Sequence, residues 1–183
     1  MVTKNHPPLE LPKRLFKSLV PKISPCVWTE SDYPLPFLKY LCNIPEIHPP
    51  DVNSHGGYAL SRAVYAFHIP LIQFLLTRGA DPSRKDNIAI KIAIRRKDIS
   101  LVRVLIEPGK GNRNKNKKRK VSDRVQPTKE MLKMAVKCDA RDIVDYFIIE
   151  KGVVPDMQTV RMMSSCWCRC FLNLITYNFT RCM

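Results

Sequence analysis

The sequence predicts an all-α protein, a solenoid of stacked helix-turn-helix repeats, and two recurring patterns with their spacing predict it. The first pattern is two apolar residues, two open positions and two apolar residues. It appears as Phe37-Leu38-x-x-Leu41-Cys42, Leu71-Ile72-x-x-Leu75-Leu76, Leu101-Val102-x-x-Leu105-Ile106 and Ile143-Val144-x-x-Phe147-Ile148, with a weaker copy at Phe171-Leu172-x-x-Ile175-Thr176. The second precedes three of these quartets: Leu60-x-x-Ala63-Val64, Ile90-x-x-Ala93-Ile94 and Leu132-x-x-Ala135-Val136. Apolar residues at i, i+1, i+4 and i+5 form one stripe of a helix, so each unit reads as two short amphipathic helices. One such pair cannot bury its apolar face alone and needs a neighbour of the same kind.

Spacing orders the units. Ile72 to Val102 is 30 residues, as is Ala63 to Ala93; Val102 to Val144 and Ala93 to Ala135 are both 42. Both helices keep register, so the extra residues fall outside them, between Gly109 and Pro127. The pattern predicts helix pairs at about 58–67 and 70–78, 88–96 and 99–107, and 128–138 and 141–150. Glycines at 79, 109 and 152 follow the quartets as C-caps, where a left-handed residue is needed. Ala63, Ala93 and Ala135 mark close helix approaches.

The stretch Gly57-Tyr58-Ala59-Leu60-Ser61-Arg62-Ala63-Val64, followed by Leu71 to Leu76 and Gly79-Ala80-Asp81-Pro82, resembles an ankyrin repeat. The units at 88–109 and 128–152 resemble it by pattern. The family's T-P-L-H tetrapeptide is replaced by Tyr58-Ala59-Leu60-Ser61, Ile88-Ala89-Ile90-Lys91 and Glu130-Met131-Leu132-Lys133. The Gly that it prefers between its helices is here Phe67, Lys97 and Asp139. The resemblance implies an ankyrin-like solenoid with short hairpin loops, first helices lining a concave face, and a role in protein–protein interaction.

The chain then divides into a Pro-rich, mostly irregular segment at 1–34, a repeat domain at 35–163 with a basic insertion at 110–126, and a degenerate capping repeat or tail at 164–183. Residues 1–36 hold seven of the 15 prolines, with one or two helical turns expected at Lys13–Val20. The leading helix of the first repeat should lie near Cys26, Thr29 and Glu30, which offer no apolar face. Val27 and Trp28 are the candidates to cover that end. Val160 and Met163 lie 28 residues after Leu132 and Ala135 and mark the first helix of a closing repeat.

Thirty-one Lys and Arg against 16 Asp and Glu give a net charge of +15, which points to an acidic partner or a solubilising charge. No signal peptide and no run of about 18 apolar residues is visible, so the reading is of an intracellular chain with no membrane segment. Cys166-x-Cys168-x-Cys170 lacks a second ligand pair at zinc-site spacing, and reads as small apolar residues in a turn. No nucleophile–base grouping and no phosphate-binding loop is present, so no catalytic, metal or cofactor site is expected and the chain reads as a non-enzyme.

Two features separate from the scaffold. Residues 110–124 carry eight basic residues against Asp123. Within them Lys117-Lys118-Arg119-Lys120 resembles a nuclear-import signal, read by an acidic groove on a carrier, while phosphate contact and a solvated loop stay open. The other is a basic strip on the first helices, Lys91, Arg95, Lys133 and Lys137 beside Arg62 and Tyr65, suited to an acidic protein surface. Non-enzymatic docking is the first reading; phosphate binding by the 110–124 loop is the alternative. Nucleus, cytoplasm or both is the expected location.

Overall fold

The computed structural model describes residues 9–22, 27–45, 49–107 and 123–166. They are helical, and among them the only β pairing is a single bridge between Glu10 and Asp51. None of these helices is long and apolar enough to cross a membrane. The chain gathers into two compact units, one of residues up to Ala93 with Ser100–Val125, the other of Ile94–Ile99 with the chain from Gln126.

In the first unit, α1 (Arg14–Lys17) packs on α3 (Ser54–Ala66), and α2 (Leu35–Asn43) lies between them in sequence. Helical backbone in α3 starts only at Tyr58, because His55, Gly56 and Gly57 are all left-handed, with φ of 54°, 68° and 74°. Gly57 is needed twice over: a Cβ there would lie 3.1 Å from the Cβ of Arg84. The helix ends at Phe67, φ 62°, whose amide returns to the Val64 carbonyl while that of His68 returns to Ala63. A Cβ-bearing residue in this region costs about 1–2 kcal/mol. The same conformation recurs at Lys97 and Asp139, the inter-helix positions matched by pattern, so these three turns share one geometry without glycine.

α4 (Ile69–Thr77) follows, capped by His68 Nδ1, which accepts from the Leu71 amide at 3.3 Å. Leu71, Ile72, Leu75 and Leu76 are buried, each contributing about 1.5–3 kcal/mol. Gly79, φ 87°, ends it, and the Ala80 amide returns to Leu75. In α5 (Arg84–Arg95) the left-handed run repeats at Lys85, Asp86 and Asn87, so regular helix starts at Ile88. α6 (Ile99–Ile106) buries Leu101, Val102, Leu105 and Ile106. Ala63 and Ala93 have no accessible surface, as close approach requires.

The start of the first unit departs from the sequence expectation. No helix forms at 27–30; the turn that packs on α3 is α1, more than ten residues earlier, held by buried Leu11, Phe16 and Leu19. Counting back a fixed interval fails here because a long connection separates α1 from α2. Trp28 packs on the α3–α4 turn, but Val27 is exposed.

In the second unit, Thr128 caps α7 (Lys129–Lys137) by accepting from the Met131 amide at 3.3 Å. Met131, Leu132, Ala135 and Val136 are buried. α8 (Arg141–Asp145) packs on α7 and continues as a π-helical turn, Tyr146–Glu150. Tyr146 and Phe147 are adjacent and both buried. A π turn spreads successive side chains through a smaller angle than an α turn, which brings both rings onto the inner side. Gly152, φ 68°, lies beyond it. α9 (Met157–Cys166) packs on α7. Its buried residues are Thr159 and Met163, one position off the expected pair, with Val160 only half-buried. The cause is the cap: Asp156 accepts from the Thr159 amide at 2.7 Å and starts the helix in that phase.

Candidate functional site

The six strip residues fall into two sets. Arg62, Tyr65 and Lys91 belong to the first unit, and Arg95, Lys133 and Lys137 to the second. Tyr65, Arg95 and Lys137 are exposed, whereas Arg62, Lys91 and Lys133 are half-buried.

The half-buried cations already have work within the molecule. Arg62 donates from Nη2 to the carbonyls of Lys17 at 3.1 Å and Leu19 at 2.6 Å, and from Nε to that of Phe16 at 3.3 Å. These are the open carbonyls at the end of α1, which an arginine fork suits. Its guanidinium also lies 4.9 Å from the centre of the Tyr65 ring, a cation–π contact. Lys91 pairs with Asp86, one of the left-handed residues before its own helix. Lys133 donates to Gln158 on α9 and lies near Asp156. Spacing places these side chains on their helices but cannot show such partners, which come from other elements or from an unusual turn.

The exits of the units are tied by side chains absent from the sequence reading. Asn53 Oδ1 accepts from the Asp81 amide at 2.8 Å, and Asn53 Nδ2 donates to the Gly79 carbonyl at 3.0 Å. Asp51 accepts from the Asn53 amide at 2.8 Å, and Asp81 from the Ser83 amide at 2.9 Å and hydroxyl at 2.7 Å. The Ser83 bonds hold the Asp81 carboxyl below its ordinary range. Asp51 and Asp81 are 30 residues apart, the period of the helices, so a signal for this turn was present in the sequence.

Trp28, His68, Lys22 and Asp32 form a second cluster in the first unit. The indole Nε1 donates to the Ala66 carbonyl at 2.8 Å. Lys22 lies 4.2 Å from the centre of the indole and 3.0 Å from Asp32. The Thr29 amide, with Lys22, holds the Asp32 carboxyl down at about 2. Burial keeps His68 below the usual imidazole range, outweighing the nearby Asp32 carboxylate. This cluster fastens the N-terminal segment to the turn between α3 and α4.

Lys117, Lys118, Arg119 and Lys120 lie outside the described residues, but both flanks of the insertion are described. The Arg124 amide donates to the Ile106 carbonyl at 2.7 Å, and Arg124 Nη1 donates to the carbonyls of Val104 at 2.9 Å and Glu107 at 2.6 Å. Burial lowers the pKa of this guanidinium. The chain thus leaves α6 and returns to the end of that same helix. Most of the Cys166-x-Cys168-x-Cys170 cluster also lies outside the described residues. Among the described residues, no three His, Cys, Asp or Glu side chains converge to hold a metal.

No protein-family model matches the chain, and no curated protein or solved structure matches it either.

Proposed function

We propose that this chain is a non-enzymatic protein–protein interaction module, an ankyrin-like solenoid that docks an acidic protein surface on the basic positions of its first helices. What carries the reading is the repetition of one turn geometry: Phe67, Lys97 and Asp139 all take the left-handed conformation at the positions where that family prefers glycine. The 30-residue recurrence of the Asp51 and Asp81 turns supports it further. Arg62, Tyr65, Lys91, Arg95, Lys133 and Lys137 make up the docking strip. Arg95 and Lys137 are its exposed cations and carry most of the attraction, because Lys91 and Lys133 already have internal partners. A rigid scaffold binds with little loss of side-chain and loop freedom, so modest contacts suffice.

The test is affinity capture on the immobilised full chain from nuclear and cytosolic extracts, with and without nuclease. A protein retained after nuclease treatment, and lost from the double variant Arg95→Glu/Lys137→Glu, supports the docking strip. Binding that survives the double variant removes the strip from the account.

The anchored stem at Arg124 favours one alternative reading, a nucleic-acid-associated protein that presents the 110–124 loop to phosphates. Phosphate binding releases counterions and weakens steeply with salt. Loss of all captured material on nuclease treatment supports that alternative. Lys117–Lys120 are proposed as an import signal for a nuclear carrier, with residence in the nucleus, the cytoplasm or both.

A further inference from the structure

The four apolar quartets differ in one respect. Their leading residues Leu71, Leu101 and Ile143 are fully buried, but Phe37, which leads the quartet of α2, is 40% exposed. Leu41 and Cys42 are half-buried, whereas Leu75, Leu76, Leu105 and Ile106 at the same register are buried. Tyr40 is 67% exposed and Tyr33, just before the helix, 53%. Residues four and three apart share a helix face, and the Tyr33 and Phe37 rings do meet, their centroids 6.5 Å apart. α2 therefore carries an aromatic stripe with nothing over it among the described residues.

We propose that this stripe is a self-association face, which pairs with the same stripe of a second copy about a two-fold axis. The stripe is nearly symmetric in sequence: Phe37 stands between a tyrosine four residues before it and one three residues after it. A two-fold axis at Phe37 puts Phe37 against Phe37 of the other copy, and Tyr33 beside the other copy's Tyr40. Such an isologous contact closes on itself and forms a dimer, not a filament.

Charge selects the same occupant. The chain carries +15, so two copies repel through most approaches. Residues 27–45 are different, with Lys39 alone against Glu30 and Asp32. Lys39 is paired with Glu30 at 2.6 Å, and Asp32 with Lys22 at 3.0 Å. Two copies can meet here without setting cation against cation, while an acidic partner finds no unpaired cation. Three half-exposed aromatic residues offer roughly 300 Å² per copy, against about 800 Å² in a standard interface, so the dimer is weak and concentration-dependent.

Sedimentation equilibrium of the reduced, nuclease-treated full chain tests this from about 1 µM to 1 mM. Wild-type protein is expected to pass from monomer to dimer, and more readily at high salt, which screens the net charge. Phe37→Asp should abolish the dimer. Tyr40→Lys, at a position too exposed to disturb folding, should shift the midpoint at least tenfold upward. Unchanged helical circular dichroism separates either effect from unfolding. A monomer at all concentrations, higher oligomers without a dimer, or a dimer that persists in Tyr40→Lys, overturns the proposal. So does pairing that weakens with salt.

Discussion

The indole of Trp28 lies flat on the imidazole of His68, with ring centroids 4.7 Å apart and planes 12° from parallel. His68 does two things there: it stacks on the N-terminal segment, and its Nδ1 caps α4. The cap requires an unprotonated Nδ1, because a protonated nitrogen cannot accept the Leu71 amide. Burial lowers the His68 pKa in agreement with this.

A pH dependence follows, and its sign is fixed. With the folded pKa below the ordinary value of 6.5, the unfolded chain binds more protons as pH falls. Stability is fully present above 6.5 and is lost as pH falls through the folded value. Asp32 adds a second loss of the same sign, between 3.8 and about 2. Chemical denaturation as a function of pH checks both. His68→Asn keeps a capping oxygen without titrating in this range, so the slope just below 6.5 should flatten. An identical slope in both proteins would remove His68 from the account. Fluorescence should report the same loosening at Trp28, in a Trp167→Phe background that leaves one indole.

Asn53 gives a second prediction. Its carboxamide makes one bond in each direction, to the Asp81 amide and the Gly79 carbonyl. Asn53→Ala leaves both groups without this partner and should cost about 1–2 kcal/mol. Asn53→Asp keeps the acceptor but sets a carboxylate against the Gly79 carbonyl, so it should recover little. A urea midpoint that does not move in Asn53→Ala would mean that water replaces the carboxamide fully.

How much of this was legible in the sequence depends on the range of the interaction. Helix pairs were legible because the quartets and Ala63, Ala93 and Ala135 repeat at the helical period, which burial imposes locally. The left-handed runs at His55–Gly57 and Lys85–Asn87 were not, since Lys85 and Asp86 carry no turn signature of their own. Nor was α1, because Phe16 and Leu19 find α3 across a connection of arbitrary length. Of the strip, helix position was legible. The engagement of Arg62 with three carbonyls was not, for those carbonyls belong to backbone more than 40 residues away.

Ala93 tests the close approach directly. It has no accessible surface, and neither have Ala63 and Ala135. Ala93→Leu adds three carbons where there is no space and should cost about 1–3 kcal/mol. Ala93→Ser, nearly the same size, should cost less. Thermal unfolding distinguishes the two, and an Ala93→Leu protein as stable as wild type would show that the neighbouring helices yield without strain.

The basic insertion separates scaffold from display. Arg124 returns the chain to the end of α6 through bonds to Val104, Ile106 and Glu107, so the residues between Glu107 and Asp123 close a loop whose two ends are already held together. Loop closure depends only weakly on length, with each doubling costing about 0.6 kcal/mol. Deleting Lys110–Val121 removes 12 residues and restores a 30-residue interval between Ala93 and Ala135. Three residues still join Glu107 to Asp123, enough to span up to about 10 Å. Thermal stability should hold or rise slightly, because seven cations leave a chain of net +15. Arg124→Ala in the full-length protein should behave oppositely and lower stability, as it opens the stem without shortening the loop. Nuclear accumulation of a fusion too large to diffuse through the pore should fall on deletion. A shortened protein that unfolds would make the insertion part of the scaffold. One that folds and still accumulates would deny Lys117–Lys120 the import role and turn attention to phosphate binding, read as the loss of salt-sensitive retention on a nucleic-acid column.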